Sequence, residues 1–422
     1  MTATDRGASL PPEQLDALVT VLDMVRSGEA CTRPELGRRS GLGRTVVTQR
    51  VGHLIDSGLV EEGSLGPSTG GRAPRQLRFR AEAGAVLVAE LGATSIGVGI
   101  TDLAGRLLHH SERPWDIAAG PEASLEQVEA SFDELRAKPD IPKVWGIGIG
   151  VPGPVEMATG RPVAPPIMPG WDRYPVRDRL GAQYGVPVCV DNEVNAMALG
   201  EYRAGLGQGL RDLIYLKLGT GIGAGLISGG RPHRGAQGCA GDVGHVAVVD
   251  DTDVVCRCGN VGCLEALAGG AALARDATTA ATGGQSPLLA ERLAAQGHLK
   301  AEDVARAAEY GDPVSVELLT RSGRLVGTML ATLVNFYNPS LVVIGGGVAA
   351  SGDLLLSAIR QAVYRRSLPL ATRNLRIARS PLDDRAGLMG AGFMVVDELF
   401  STARIGTWIA DGSPAGRPEL TA

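Results

Sequence analysis

Residues 241–265 read GDVGHVAVVDDTDVVCRCGNVGCLE, and the reading of the chain turns on them. His245 is followed after ten residues by Cys256, then by Cys258 after one more and by Cys263 after a further four. Half of the chain's six cysteines thus fall within eight residues. A disulfide framework would spread its cysteines through a small exported domain. Three thiolates and one imidazole at this spacing predict instead a closed, tetrahedral zinc site of the structural kind, with His245, Cys256, Cys258 and Cys263 as ligands. Cys31, Cys189 and Cys239 stand apart and are expected in the core.

Outward from this motif the pattern is α/β. Apolar strands read at 85–91, 95–101, 144–151, 186–190, 213–218, 223–228 and 341–344, with helical stretches at 124–137, 194–204 and 315–337 between them. Such alternation implies mostly parallel sheets covered by helices. Glycine-rich turns follow strands at 92–94, 219–223 and 345–347, and each can offer backbone N–H groups to a phosphate. Gly92, Thr94, Gly219, Thr220, Gly221 and Gly223 are the residues of interest there.

Composition limits the classes available. The 422 residues are 44% hydrophobic and 21% charged, with mean hydropathy near zero, so the chain as a whole can bury a core and is not disordered. No apolar run approaches the ~18–20 residues a membrane span needs. The opening MTATDRGASLPPEQ has no basic stretch followed by an apolar one, which predicts a cytoplasmic protein. The net charge of −5 is uneven: residues 31–80 hold nine arginines against four acids, on an otherwise acidic body. That asymmetry points the head, residues 1–80, toward a polyanion.

The head reads as a winged helix-turn-helix. Leu15, Leu18, Val19, Leu22 and Val25 form the stripe of an amphipathic helix over 13–27. A short helix opens near Pro34, Gly41–Gly43 turns the chain, and a second helix runs from about Arg44 to Ser57. Val47, Val51, Leu54 and Ile55 face the core. Arg44, Thr45, Thr48 and Gln49 lie opposite, with Arg50 to one side, where a recognition helix reaches base edges in the major groove. The glycine-rich stretch GPSTGGRAPRQLRFR reads as a wing, with Arg72, Arg75, Arg78 and Arg80 along it for phosphates.

These motifs together resemble the ROK family (repressors, open reading frames and kinases). The similarity lies in the Asp242–His245 and Cys256–Glu265 pattern, IGIGVPGPV at 147–155, VDNEVNA at 190–196 and GTGIGAG at 219–225, with a head like that of the family's regulators. The resemblance implies a two-lobed actin-like ATPase/sugar-kinase fold over 81–400, the zinc motif at 245–263, and a tail at 401–422. It implies a sugar pocket between the lobes, with Asn192, Glu193, Asp242, His245 and Glu265 on the sugar hydroxyls. His245 would bind zinc through one ring nitrogen and face the sugar with the other.

Departures from the kinase pattern carry the functional expectation. The base position holds Glu193 where the kinases have aspartate, and Asp242 stands where they have glutamate. The first phosphate loop reads Glu90-Leu91-Gly92-Ala93-Thr94 instead of D-x-G-G-T. One added methylene displaces a carboxylate by ~1.5 Å, and ~1 Å of misplacement can cost ~100-fold in rate. The expectation is a sugar-responsive regulator, a homodimer or homotetramer on a double-stranded DNA operator, with vestigial phosphate loops. The alternatives are a glucokinase-like ATP-dependent sugar kinase with a DNA-binding head, and a regulator controlled by a protein partner.

Overall fold

The structure, a computed structural model, describes residues 11–65, 73–350 and 352–421. Three helices, α1 (Pro12–Arg26), α2 (Arg33–Ser40) and α3 (Arg44–Asp56), precede an antiparallel ribbon of β1 (Val60–Leu65) and β2 (Arg75–Phe79). Thr32 caps α2 by accepting the Glu35 N–H, and the Glu35 carboxylate accepts the Cys31 N–H in return. Gly41 stops that helix at φ 72°, a left-handed turn that suits glycine. Val47, Val51 and Leu54 meet Leu18, Val21 and Leu22 in the core, as their spacing predicts.

The body holds two sheets built to one plan. The first contains β3 (Ala85–Leu91), β4 (Ser95–Asp102), β5 (Leu107–Pro114) and β6 (Val144–Val151). A two-stranded ribbon, β7 (Val155–Glu156) and β8 (Arg161–Pro162), precedes its last strand, β9 (Val188–Asn192), and the order is β5-β4-β3-β6-β9. The second sheet runs β12-β11-β10-β13-β14, from β10 (Leu213–Leu218), β11 (Ile222–Ser228), β12 (Arg231–Pro232), β13 (Leu341–Gly345) and β14 (Arg376–Arg379). In each, an antiparallel run of three strands continues into two parallel ones. The β3–β4 turn and the β10–β11 turn are therefore equivalent, and both face the cleft between the lobes.

Helices α4 (Pro121–Arg136) and α5 (Val176–Tyr184) cover the first sheet. Two further helices exchange sides. Helix α6 (Glu193–Ala204) leaves the first sheet and packs on β10 and β11 of the second. The second lobe then adds α7 (Leu264–Ala268), α8 (Gly270–Thr282), α9 (Pro287–Gln296), α10 (Ala301–Glu309), α11 (Pro313–Tyr337), α12 (Asp353–Arg366) and α13 (Pro369–Thr372). Helix α14 (Arg385–Leu399) leaves the second sheet and packs on β3, β4 and β6 of the first. The two exchanged helices cross in backbone contact: a side chain at Gly390 would strike the Ala196 carbonyl, and one at Gly200 the Ala386 carbonyl.

Residues 401–421, expected as a tail, are instead packed. They form α15 (Ile405–Trp408) and short 3-10 turns, and Trp408 is fully buried. Its indole donates to the Leu399 carbonyl at 2.9 Å and stands edge-on to Trp145, ring centroids 5.3 Å apart. Phe400 touches Trp145, Trp408 and the head's Phe79. Arg26 lies over the Phe400 ring and pairs with Asp397 at 3.2 Å, and Asp397 also holds Arg203 of α6. Head, first sheet, α14 and C-terminal segment thus share one continuous apolar core, so the head is not a separate hydrophobic unit.

Candidate functional site

The cleft lies between the two equivalent turns and gathers most of the residues the sequence singled out. Asn192 ends β9 and caps α6: its Oδ1 accepts the Val194 N–H at 2.8 Å, while its Nδ2 donates to the Gly153 carbonyl at 3.0 Å. Glu193 opens α6 with its side chain 8% exposed. Behind it the buried Asp191 accepts from Asn195 and from Arg234, at 2.9 and 2.6 Å, which fixes the floor. From the second lobe come Asp242, His245 and Glu265, all three lining the same cleft.

His245, Cys256, Cys258 and Cys263 form a cluster able to hold a metal ion, their donor atoms within 4.8 Å of one another. Cys258 Sγ and Cys263 Sγ are 3.7 Å apart, and Cys256 Sγ lies 3.5 Å from His245 Nδ1. A tetrahedral ion with metal–sulfur bonds of about 2.3 Å sets its sulfurs about 3.8 Å apart, so donors and spacing fit zinc. The His245 Nε2 faces the other way, 3.9 Å from Asp242 Oδ1 at the cleft. Glu265, two residues beyond Cys263, accepts the Ile222 N–H at 3.0 Å. The cluster is thereby tied to the β10–β11 turn.

That turn keeps the sequence of a phosphate loop, but part of its backbone is already bonded. Gly219 N–H donates to the Gly221 carbonyl, Ile222 N–H is held by Glu265, and Gly223 lies within β11 opposite Lys217. In the β3–β4 turn Gly92 N–H bonds the Ser95 carbonyl, and Thr94 accepts from Trp115. Gly346 of the third glycine turn has φ 89° and lies against the Leu218 backbone.

Sequence reasoning missed Lys217. It projects from β10 into the cleft, and its Nζ donates to Glu193 Oε2 at 2.5 Å. Burial opposes its charge, but Glu193 and Glu90 outweigh that and hold the ammonium above its ordinary pKa. Glu90 behaves oppositely: burial, reinforced by Glu193 and only partly offset by Lys217, pushes it up to about 8. Its Oε2 is enclosed and finds no hydrogen-bond partner among the described residues. A lysine inside the apolar run LIYLKL was the available signal.

On the head, Arg44, Thr45, Thr48 and Gln49 are exposed on α3, as expected. Arg50 corrects the sequence reading. It is 4% exposed and turned inward, donating to Gln14 Oε1 at 3.0 Å and contacting His53 Nδ1 at 3.1 Å, so it has no free face for DNA. Arg75 is exposed and pairs with Glu62 at 3.6 Å, and Arg78 and Arg80 pair with Glu61 and Glu82, so each shares its charge with an acid of the head. Arg72 lies outside the described residues. Cys189 is buried as expected and Cys31 half-buried, but Cys239 is exposed and lines the cleft.

Comparison with known proteins agrees with this geometry. The ROK family model matches residues 86–398. A xylose repressor of Caldicellulosiruptor bescii is 31% identical over 403 residues, covering 92% of this chain and 97% of that protein, a span longer than the body alone. A glucokinase of Halalkalibacterium halodurans is 33% identical over 311 residues, 72% of this chain and 93% of that one. Among solved structures, a ROK family transcriptional regulator, homolog of the E. coli MLC protein, superposes with a TM-score of 0.80 over 95% of this chain and all of that one, at 24% identity. A Streptomyces griseus ROK glucokinase in complex with glucose and AMPPNP gives 0.66 at 32% identity, over 74% of this chain and 99% of that one. Two sheets of one plan, the cleft between them and the His-Cys cluster beside it are accounted for together: the chain belongs to the ROK family.

Proposed function

We propose that the protein is a sugar-responsive transcriptional repressor whose cleft binds a sugar and whose head binds an operator. One observation carries this reading: the head and the lobe that forms half of the cleft share a single apolar core. A sugar held by both lobes favours one lobe arrangement, and it shifts the equilibrium only as far as its affinities for the two arrangements differ. Helices α6 and α14 cross between the lobes, and Asp397 of α14 grips Arg203 of α6 and Arg26 of the head. Movement at the cleft therefore re-aims α3. In a dimer, changed head spacing breaks the match to two half-sites one helical turn apart.

Zinc at His245, Cys256, Cys258 and Cys263 would hold the 245–263 loop closed and fix the His245 tautomer, so that its Nε2 meets a sugar hydroxyl. Arg44, Thr45, Thr48 and Gln49 are the base-reading candidates, with Arg75 on the backbone. Phosphotransfer is lost because Glu193 is held by Lys217, and the Gly92, Gly219 and Ile222 N–H groups are already bonded. The intact GTGIGAG stretch favours the competing kinase reading.

One preparation separates the two. Purified protein should carry about one zinc per chain, and its sugar should raise the melting temperature and release operator DNA without ATP, with no sugar-dependent ADP formation. Robust turnover abolished by Glu193→Ala would make the protein a kinase.

A further inference from the structure

In any kinase built on this cleft, the accepting hydroxyl must stand between the carboxylate at position 193 and the β10–β11 turn, because phosphoryl transfer depends on in-line placement. Here that place is filled. The Lys217 stem runs beside Gly219, where a built Cβ would lie 3.3 Å from Lys217 Cε, and its ammonium closes on Glu193 at 2.5 Å. The lysine side chain is only 17% exposed and Glu193 8%, so the pair forms a wall and not a mobile surface contact. Moving it aside would leave a buried carboxylate without its cation, which is costly.

We infer that Lys217 determines which sugars the cleft accepts, by excluding the hydroxymethyl arm of a hexopyranose and favouring a pentopyranose. The argument rests on the sugar-sensing reading above. In a glucokinase the accepting hydroxyl is that of the hydroxymethyl arm, so a side chain standing in the acceptor's place stands where the arm would go. A pentopyranose has a ring CH2 there and leaves the ion pair intact. The pair still offers that ring an ammonium N–H and, through Glu193 Oε1, a carboxylate acceptor side by side, a complement for one secondary hydroxyl. A hexose meets the wall, and discrimination against one additional carbon in a fitted pocket is worth about 10–200-fold.

Matched pairs isolate the arm, because each pentose equals its hexose without it: D-xylose with D-glucose, L-arabinose with D-galactose, D-lyxose with D-mannose. Calorimetric titration of the full-length protein should show, in whichever pair binds, the pentose favoured by at least ~10-fold. Lys217→Ala should shrink that ratio to roughly threefold or less by opening the space, whereas Lys217→Arg should preserve it. If Lys217→Ala fails to fold, the neutral pair Lys217→Thr with Glu193→Gln opens the same space without a stranded charge and should give the same result. A hexose that binds as well as its pentose in the unaltered protein, or a ratio unmoved in the opened variants, overturns the inference and leaves the sensor reading standing. Failure of all six sugars to bind overturns both.

Discussion

Glu90 keeps its proton where most carboxyls lose it, because burial strips water from its carboxylate. In the unfolded chain it ionises near 4.5, and in the folded protein near 8. Between those values the folded state binds more protons, so Glu90 makes stability fall as pH rises through that window and contributes no slope outside it. Glu90→Gln should flatten that part of the profile, with the variant gaining most over the parent near pH 8; melting curves from pH 4.5 to 9 test this, and identical slopes would refute it. At this scale the sequence was legible where chemistry is local. Three thiols within eight residues identify themselves, whereas Asn192 and Glu193 were reached only through the family resemblance. Lys217 and Arg50 were not legible, because each owes its role to a partner distant in sequence: Glu193 for one, Gln14 for the other.

At the scale of elements, buried strands read true because a strand covered on both faces is a continuous apolar run. Ala85–Leu91, Val144–Val151 and Leu213–Leu218 fall where the sequence put them. The edge strand Leu107–Pro114, LLHHSERP, was missed because most of it is exposed and carries no alternation. The packed 401–421 segment was missed because its one α-helix is a single turn long and its glycines, serines and prolines read as a loop. The crossing of α6 and α14 was also invisible, since small residues such as Ala196, Gly200, Ala386 and Gly390 mark a close approach only once their partner is known. Gly390→Val would drive a side chain into the Ala196 carbonyl. Overpacking of this kind costs about 1–3 kcal/mol, measurable by denaturant melts. Because the clash parts the two exchanged helices, operator binding should also lose its response to sugar without a change in metal content.

For the molecule as a whole, the head and the sensor lobe stand or fall together. Trp408→Ala removes a fully buried ring from the joint core, a loss of about 3–5 kcal/mol. Because that ring packs against Trp145 and Phe400, and Phe400 against Phe79, the expected result is weaker operator binding together with a lower melting temperature. Unchanged operator affinity in a destabilised variant would show that the head works without this support. The same packing sets an order of events during synthesis. Domains ordinarily fold as they leave the ribosome, at about 5–20 residues per second, so roughly 20–60 s separate the head from the segment that covers its flank. Until residues 405–408 have been made, α1 has no Ile405 or Trp408 to meet. A chain that stops short of residue 405 therefore carries a head whose α1 flank is bare, and its operator affinity should fall below that of the full chain.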